Sequence, residues 1–519
     1  MLNNKTRIQQ TFSPKPFCYS PTQTIKSIAA FVNDSANAAV GTVSTATTGI
    51  WSIIGTWLAL IITGTFYDTK YSAAFSIKQN YKELTQHRLS KFTCIDYFRI
   101  IAILWVMINH TGSEGRIDIL ERQPSAKTFK DAVHSHPFFG PLFGNSGLGV
   151  EIFLVLSGFL AARSWYRSSQ SKTSSFFGHY IGFIIKRALR LFPSVAVFVW
   201  LAQSSLSAQY MPRFYDSMVS TCGIKGIASH LTFTSNLQST PTCLGYLWYL
   251  GLDFQLYIIS PIFMAVLLYN SALGIALIGA VVSASSIYRA YFCWTHDICN
   301  KSDVDIPFIS FPGQTEAELQ SIYYGLWDIY SRPQTKCGPF LIGLLAGFFS
   351  LQYSQTVPSI PKSALKYLNV VAIFGAIFCI FGILPEYWYP DAGNTVYNTF
   401  YTATFRSIFA LCTSWLLFYG IYWFKASSVV FFNVLATITF QAYLLHMPVV
   451  YLFNNCQMLQ DAMGPWEVLY VLPGVAIISY IGAFILYLTI EAPMAKIASY
   501  FYDNMRAHLI PETKTSKMD

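Results

Sequence analysis

About eleven stretches of this sequence are apolar over roughly the length needed to cross ~30 Å of hydrocarbon. They lie near residues 48–66, 95–112, 147–165, 191–205, 247–269, 272–292, 338–352, 367–384, 403–424, 429–453 and 468–490, the fourth and seventh being short. No other feature narrows the fold as far. In hydrocarbon every backbone N–H and C=O must be satisfied by the protein itself, and a helix does this within one segment. The expected fold is therefore all-α, a polytopic transmembrane helical bundle of about eleven spans. Composition agrees. Charged residues make up 11% and hydrophobic residues 53% of the 519 residues, whereas a soluble chain averages about 25% charged. The aromatic fraction of 17% suits interfacial belts and tight bundle packing.

The formal net charge of +9 does not call for a nucleic-acid partner, because basic loops kept on the cytosolic side account for it. Lys70, Lys78, Lys82, Arg88 and Lys91 follow the first run; Arg163, Arg167, Lys172, Lys186, Arg187 and Arg190 lie between the third and fourth. Lys362 and Lys366 follow the seventh run, Lys425 the ninth, and Lys496, Arg506, Lys514 and Lys517 the last. With alternating spans all of these fall on one side, taken as cytosolic, so the N-terminus is expected outside and the C-terminus inside. The expected organisation is an N-terminal lumenal or extracellular arm (1–48), an extra span with a cytosolic linker (49–93), a membrane domain (94–495) and a cytosolic tail (496–519). No internal repeat is visible, and the opening MLNNKTRIQQ lacks the adjacent apolar stretch of a cleavable signal peptide.

The two long loops on the other side, about 206–246 and 293–337, contain Cys222, Cys243, Cys293, Cys299 and Cys337. Cysteines clustered in translocated loops fit an oxidising compartment, and the endoplasmic reticulum or plasma membrane is the expected location. Cys222 with Cys243 is the preferred disulfide, then Cys293 with Cys299; free thiols are the alternative. The sequons Asn300-Lys301-Ser302, Asn4-Lys5-Thr6 and Asn33-Asp34-Ser35 all lie on this side, as N-glycosylation requires.

Ionisable residues inside spans carry the functional signal, because each is costly in hydrocarbon. The second run reads CIDYFRIIAILWVMINHTG, in which Arg99 and His110 are eleven residues apart, about three helical turns and ~16 Å of rise. They share one helix face, with Asp96 one turn before Arg99. A snorkelling arginine and an interfacial histidine would be the plain reading; the functional one links a cytosolic anion to an imidazole deeper in the protein. In FIIKRALRLFPS, Arg187 and Arg190 are i, i+3 neighbours whose guanidinium forks suit phosphate, although a juxtamembrane anchor for lipid headgroups has the same composition. Glu151, Asp253, Gln255, Arg406, His446 and Glu491 interrupt other apolar runs. Any one can be a structural ion pair or a helix cap; so many in one bundle point beyond structure.

These segments resemble, in order, the signature of the acyltransferase 3 family of membrane acyltransferases. Asp96, Arg99 and His110 match its D-x-x-R-(ten residues)-H helix, and Gly149, Val150, Glu151, Phe153, Leu156, Ser157, Gly158 and Phe159 its G-V-[DE]-x-F-F-V-L-S-G-F helix. Arg187, Arg190 and Pro193 match the R-x-x-R that precedes a proline. Trp248-Tyr249-Leu250 with Asp253, Gln255, Tyr257 and Pro261 match a further block. Tyr443-Leu444-Leu445-His446-Met447-Pro448 and Glu491-Ala492-Pro493 are similar to the closing Y-L-x-H-x-P and E-x-P elements. Tyr330-Ser331-Arg332-Pro333 with Lys336-Cys337-Gly338-Pro339-Phe340 and Gly343 resembles the nose-resistant-to-fluoxetine branch, where arginine is usual in place of Lys336. That branch usually carries a cysteine-rich domain ahead of the extra N-terminal span; about 48 residues precede it here.

The resemblance implies a ten-helix core plus one N-terminal span, and transfer of an acyl group from cytosolic acyl-CoA to a hydroxyl or amine acceptor, a lipid or small molecule. It implies that Arg99, Arg187 and Arg190 receive the acyl-CoA phosphates and that His110 is the base. Glu151 or Asp253 would orient the imidazole, and His446 would be a second acid/base or a structural donor. Neither zinc-ligand spacing, nor a Gly-rich phosphate loop, nor a G-x-S-x-G elbow is present, so no metal is expected. Two rivals stand beside the enzyme: a transporter of lipids or hydrophobic small molecules, and a non-catalytic regulator on the same fold.

Overall fold

A computed structural model describes residues 45–509, apart from 68–72, 87–91, 114–131, 133–134, 170–175, 240–242, 297, 300–326, 354–358, 390–392, 425–426 and 454–464. Among the described residues all regular structure is helical. The main helices are α1 (Thr45–Phe66), α2 (Ile77–Thr85), α3 (Thr93–Ser113), α4 (Leu148–Ser169), α5 (Phe176–Gln203), α6 (Trp248–Tyr269) and α7 (Ser271–Thr295). They continue as α8 (Pro333–Gln352), α9 (Lys362–Phe381), α10 (Thr395–Tyr419), α11 (Val430–Thr437), α12 (Thr439–Phe453), α13 (Pro465–Leu486) and α14 (Ala492–Leu509). The three sequons and the basic residues Lys70, Arg88, Lys91, Lys172, Lys425, Lys514 and Lys517 lie wholly or partly outside the described residues.

Each of the eleven apolar runs falls on a helix. By length and composition, seven described helical segments suffice to cross a membrane: those of α3, α4, α6, α7, α9, α10 and α13. The α11–α12 pair, bent by 66°, makes an eighth if it counts as one span. The apolar part of α1 is shorter, Trp51–Phe66. Helix α5 carries Lys186, Arg187 and Arg190, and α8 the buried Lys336. Two boundaries differ from expectation. Helix α5 begins at Phe176, well before residue 191, so Arg187 and Arg190 stand in a helix interior and not in a flanking loop. Hydropathy marks where a helix is apolar, not where it starts. Likewise Cys337 sits buried in α8 instead of in the preceding loop. The two preferred disulfides are present, Cys222–Cys243 and Cys293–Cys299, with Cα separations of 4.9 and 4.6 Å.

Helix α4 is the centre of the bundle. Its spanning segment is 83% buried, against 17% for α7 and 22% for α9, which present Ile287, Tyr291, Phe374 and Ile377 outward. Such apolar faces are stable only against lipid or another protein. Small residues set the central contact: a Cβ on Gly158 would stand 2.0 Å from the Phe340 carbonyl oxygen, and one on Gly343 2.1 Å from that of Val155. Only glycine lets α4 and α8 approach this closely, as at small-residue crossings in other membrane bundles. Gly343→Ala is therefore expected to cost at least about 1–3 kcal/mol, because backbone and not a side-chain tip must yield. Monodispersity and thermal stability in detergent check this. Gly55→Ala, with no atom within 4 Å, is the tolerated control.

Candidate active site

His110, in the last turn of α3, lines a small recess with Asn109, Ser146 and the rings of Tyr246, Trp248, Tyr249, Tyr330 and Tyr443. Polar tips on large apolar bodies suit a site that must hold an organic substrate and orient it. The α11–α12 bend brings His446 beside His110, their ring centroids 5.1 Å apart. His446 is fully buried, and its Nδ1 lies 2.6 Å from the Tyr443 carbonyl oxygen. A carbonyl only accepts, so Nδ1 carries the hydrogen and Nε2 keeps a lone pair in the neutral ring. That Nε2 is buried and makes no hydrogen bond within the protein.

The wall around these rings is tied down from two sides. The Tyr443 hydroxyl donates to the Tyr246 carbonyl, and the Tyr246 hydroxyl donates to that of Leu444 at 2.9 Å. Just before Tyr246, Leu244 adopts φ +42°, a left-handed conformation unusual for a branched side chain. It is held by its N–H to the Met218 carbonyl, 2.8 Å, and by the neighbouring disulfide at Cys243.

Glu151 occupies a different place from the one expected. It does not reach His110; its carboxylate lies 2.5 Å from Lys336 Nζ and 2.8 Å from Arg406 Nη1, with both Glu151 and Lys336 at 0% exposure. Lys336 Nζ stands over the Tyr330 ring at 4.4 Å and the Trp248 ring at 5.5 Å. The triad thus backs the recess wall and positions its rings. Asp253 is likewise not beside the imidazole: Arg187 Nη2 holds it at 2.5 Å, and the Arg187 guanidinium lies over the Tyr257 ring. A buried carboxylate needs a cation more than it needs a neutral imidazole. Neither orients His110; the residue the structure does bring to it is His446.

The three arginines gather at the opposite end of α3. Arg99 lies 3.7 Å from Asp96 and within electrostatic reach of Arg190 and Arg187. Arg190 is exposed, whereas Arg187 is half-buried in its ion pair. Tyr249 lies within electrostatic reach of Asp253, Arg187 and Arg99 while also lining the recess, so the arginine end and the histidine end share a wall. Arg289 was not foreseen. It is fully buried in α7 and donates to the carbonyls of Ala403 and Thr335 and to the Ser407 hydroxyl. Its signal was in the sequence, an ionisable residue inside the apolar run 272–292. The partnership of Lys336 with Glu151, and the place of Tyr246 in the recess, carried no such signal.

In this helical membrane bundle a histidine pair, His446 buried and His110 half-buried, stands at one end of α3 and the clustered arginines at the other. The chain belongs to the acyltransferase 3 family, whose model, described as an acyltransferase domain, matches residues 92–488. It is 52% identical over 447 residues to the Caenorhabditis elegans protein named regulator of hypoxia-inducible factor 1, an alignment covering 86% of this chain and 88% of that one. It is 24% identical over 471 residues to nose resistant to fluoxetine protein 6 of the same nematode, over 84% of this chain and 55% of that protein. Over 226 residues it is 24% identical to an O-acetyl transferase of Shigella phage Sf6, covering 40% and 60% of the two chains. No solved structure matches the chain.

Proposed function

We propose that the protein transfers an acyl group from cytosolic acyl-CoA to a hydroxyl or amine acceptor, with His110 as general base. The observation that carries this reading is the His110–His446 pair in a polar recess whose wall continues to an arginine cluster. The ~16 Å of helix rise between Arg99 and His110 separates a phosphate-binding end from a chemical end. Arg190, the exposed member of the cluster, is the primary phosphate ligand, supported by Arg99 and by Arg187. As the acceptor oxygen or nitrogen bonds to the thioester carbonyl carbon, His110 takes its proton. Collapse of the tetrahedral intermediate breaks the C–S bond, and the imidazolium returns the proton to the departing thiolate. Fixed by Tyr443, His446 supplies a lone pair beside His110 that supports the second proton-accepting position of the site.

Arg190→Gln tests the phosphate end, because it removes an exposed cation while leaving the Arg187–Asp253 pair in place. A charge-assisted hydrogen bond is worth about 1.5–3 kcal/mol, so the acyl-CoA concentration needed for half-maximal rate should rise about 10- to 100-fold with kcat little changed. Lysine should restore part, keeping charge and losing the fork. An unchanged acyl-CoA requirement would return Arg190 to the role of lipid anchor. The name of the nematode relative, a regulator, favours a second reading: a non-catalytic regulator that keeps the fold. On that reading the His110→Gln protein would retain its biological role.

A further inference from the structure

We infer that α1 and α2, which precede the matched domain at 92–488, position Glu491 at the acyl-CoA end of the site through Trp57 and Asn80. The inference rests on the acyl-CoA reading above. Between α13 and α14, residues Tyr487–Glu491 form a π-helical turn. Such a turn adds a residue to the helix and re-aims the side chains that follow it, often at functional sites. It also leaves carbonyls to be satisfied. Thr489 would give its carbonyl to the N–H four residues on, but Pro493 has none. Trp57 Nε1 fills that place, donating to the Thr489 carbonyl at 2.8 Å, and Asn80 Nδ2 donates to that of Leu488 at 3.2 Å.

The amide of Asn80 is itself oriented. Lys496 Nζ donates to Asn80 Oδ1 at 2.8 Å and to Glu83 at 2.9 Å, so the oxygen faces the lysine and the NH₂ faces the turn. Asn80 is 1% exposed, and a buried amide is seldom placed without a task. What the turn achieves is the burial of Glu491, at 6% exposure, against Gln441 Nε2 at 3.1 Å; the same Nε2 donates to Ser194 Oγ at 2.8 Å. Gln441 stands five residues before His446 on α12, and Ser194 four after Arg190 on α5. Glu491 is also within electrostatic reach of Arg190. One hydrogen-bonded chain therefore runs from the N-terminal helices to the helix bearing each end of the site. Trp57 and Asn80 are positioning residues; neither touches the reacting atoms.

The test is a cycle on the full-length protein between Trp57→Phe/Asn80→Asp and Glu491→Gln. Phenylalanine keeps the ring and loses the donor; aspartate keeps the contact with Lys496 and loses the donor to Leu488. The variant removes the two hydrogen bonds to the turn, together with the one from Asn80 Nδ2 to the Ala74 carbonyl, and should raise the KM for acyl-CoA about 10-fold while kcat stays within about twofold. In the Glu491→Gln background the pair should add nothing further, since both act through one carboxylate. Amide hydrogen exchange over 487–495 should speed up in the Trp57/Asn80 variant. Fully additive effects on KM, or unchanged exchange over 487–495, overturn the inference. If wild type neither binds nor turns over acyl-CoA, the acyl-CoA reading falls, and exchange still decides whether α1 and α2 hold the Glu491 turn.

Discussion

His110→Gln is expected to leave the protein folded and inserted while lowering acyl transfer by about 10²–10⁴-fold. The magnitude is that of a lost general base. Glutamine has similar bulk and keeps a donor and an acceptor, so the recess between Asn109, Tyr246 and Tyr443 retains its shape and most of its hydrogen bonding. What disappears is the ring nitrogen that would take the acceptor's proton. Protein level and monodispersity in detergent should match wild type. Arg99→Gln, at the other end of the same helix, should instead raise the acyl-CoA requirement. Full transfer by His110→Gln would place the base elsewhere, with His446 next.

Glu151→Gln should act on stability first. It removes the carboxylate that Lys336 and Arg406 share, at 2.5 and 2.8 Å, where neither Glu151 nor Lys336 is exposed to solvent. Breaking a buried pair costs about 3–5 kcal/mol, because the remaining charge is left without its counter-ion. Against a typical stability of about 5–15 kcal/mol this should sharply reduce the folded yield. Lys336→Met in the same chain removes one of the two cations, so the double variant should be more stable than the sum of the single costs allows. Normal accumulation of Glu151→Gln with lost activity would instead give Glu151 the catalytic role that its place in the bundle argues against.

What the sequence made legible, and what it did not, follows from the range of each interaction. The helical character of the apolar runs, the Arg99–His110 spacing and the disulfide partners are local or compositional and stand where expected, although seven described segments, or eight with the bent pair, suffice to span where about eleven were expected. The partners of Glu151 do not follow from local pattern: Lys336 is 185 residues away and Arg406 255. Glu151 and Asp253 looked equally able to orient an imidazole because a carboxylate in an apolar run shows its cost and not its counter-ion. His446 illustrates the same point from the other side. Its residue type raised two roles, and only the bend between α11 and α12 sets it 5.1 Å from His110. The early start of α5 was hidden because lysine and arginine interrupt hydropathy while remaining good helix formers.

The central claim is that this bundle performs acyl transfer through His110, and incubation of the purified protein with labelled acetyl-CoA and palmitoyl-CoA tests it most directly. With membrane lipid extract and small hydroxyl and amine compounds as acceptors, wild type should release CoA and move label to an acceptor from at least one donor. His110→Gln should do so about 10²–10⁴-fold more slowly at equal protein. Equal transfer by the two proteins, or none from either donor by well-folded wild type, would contradict the account.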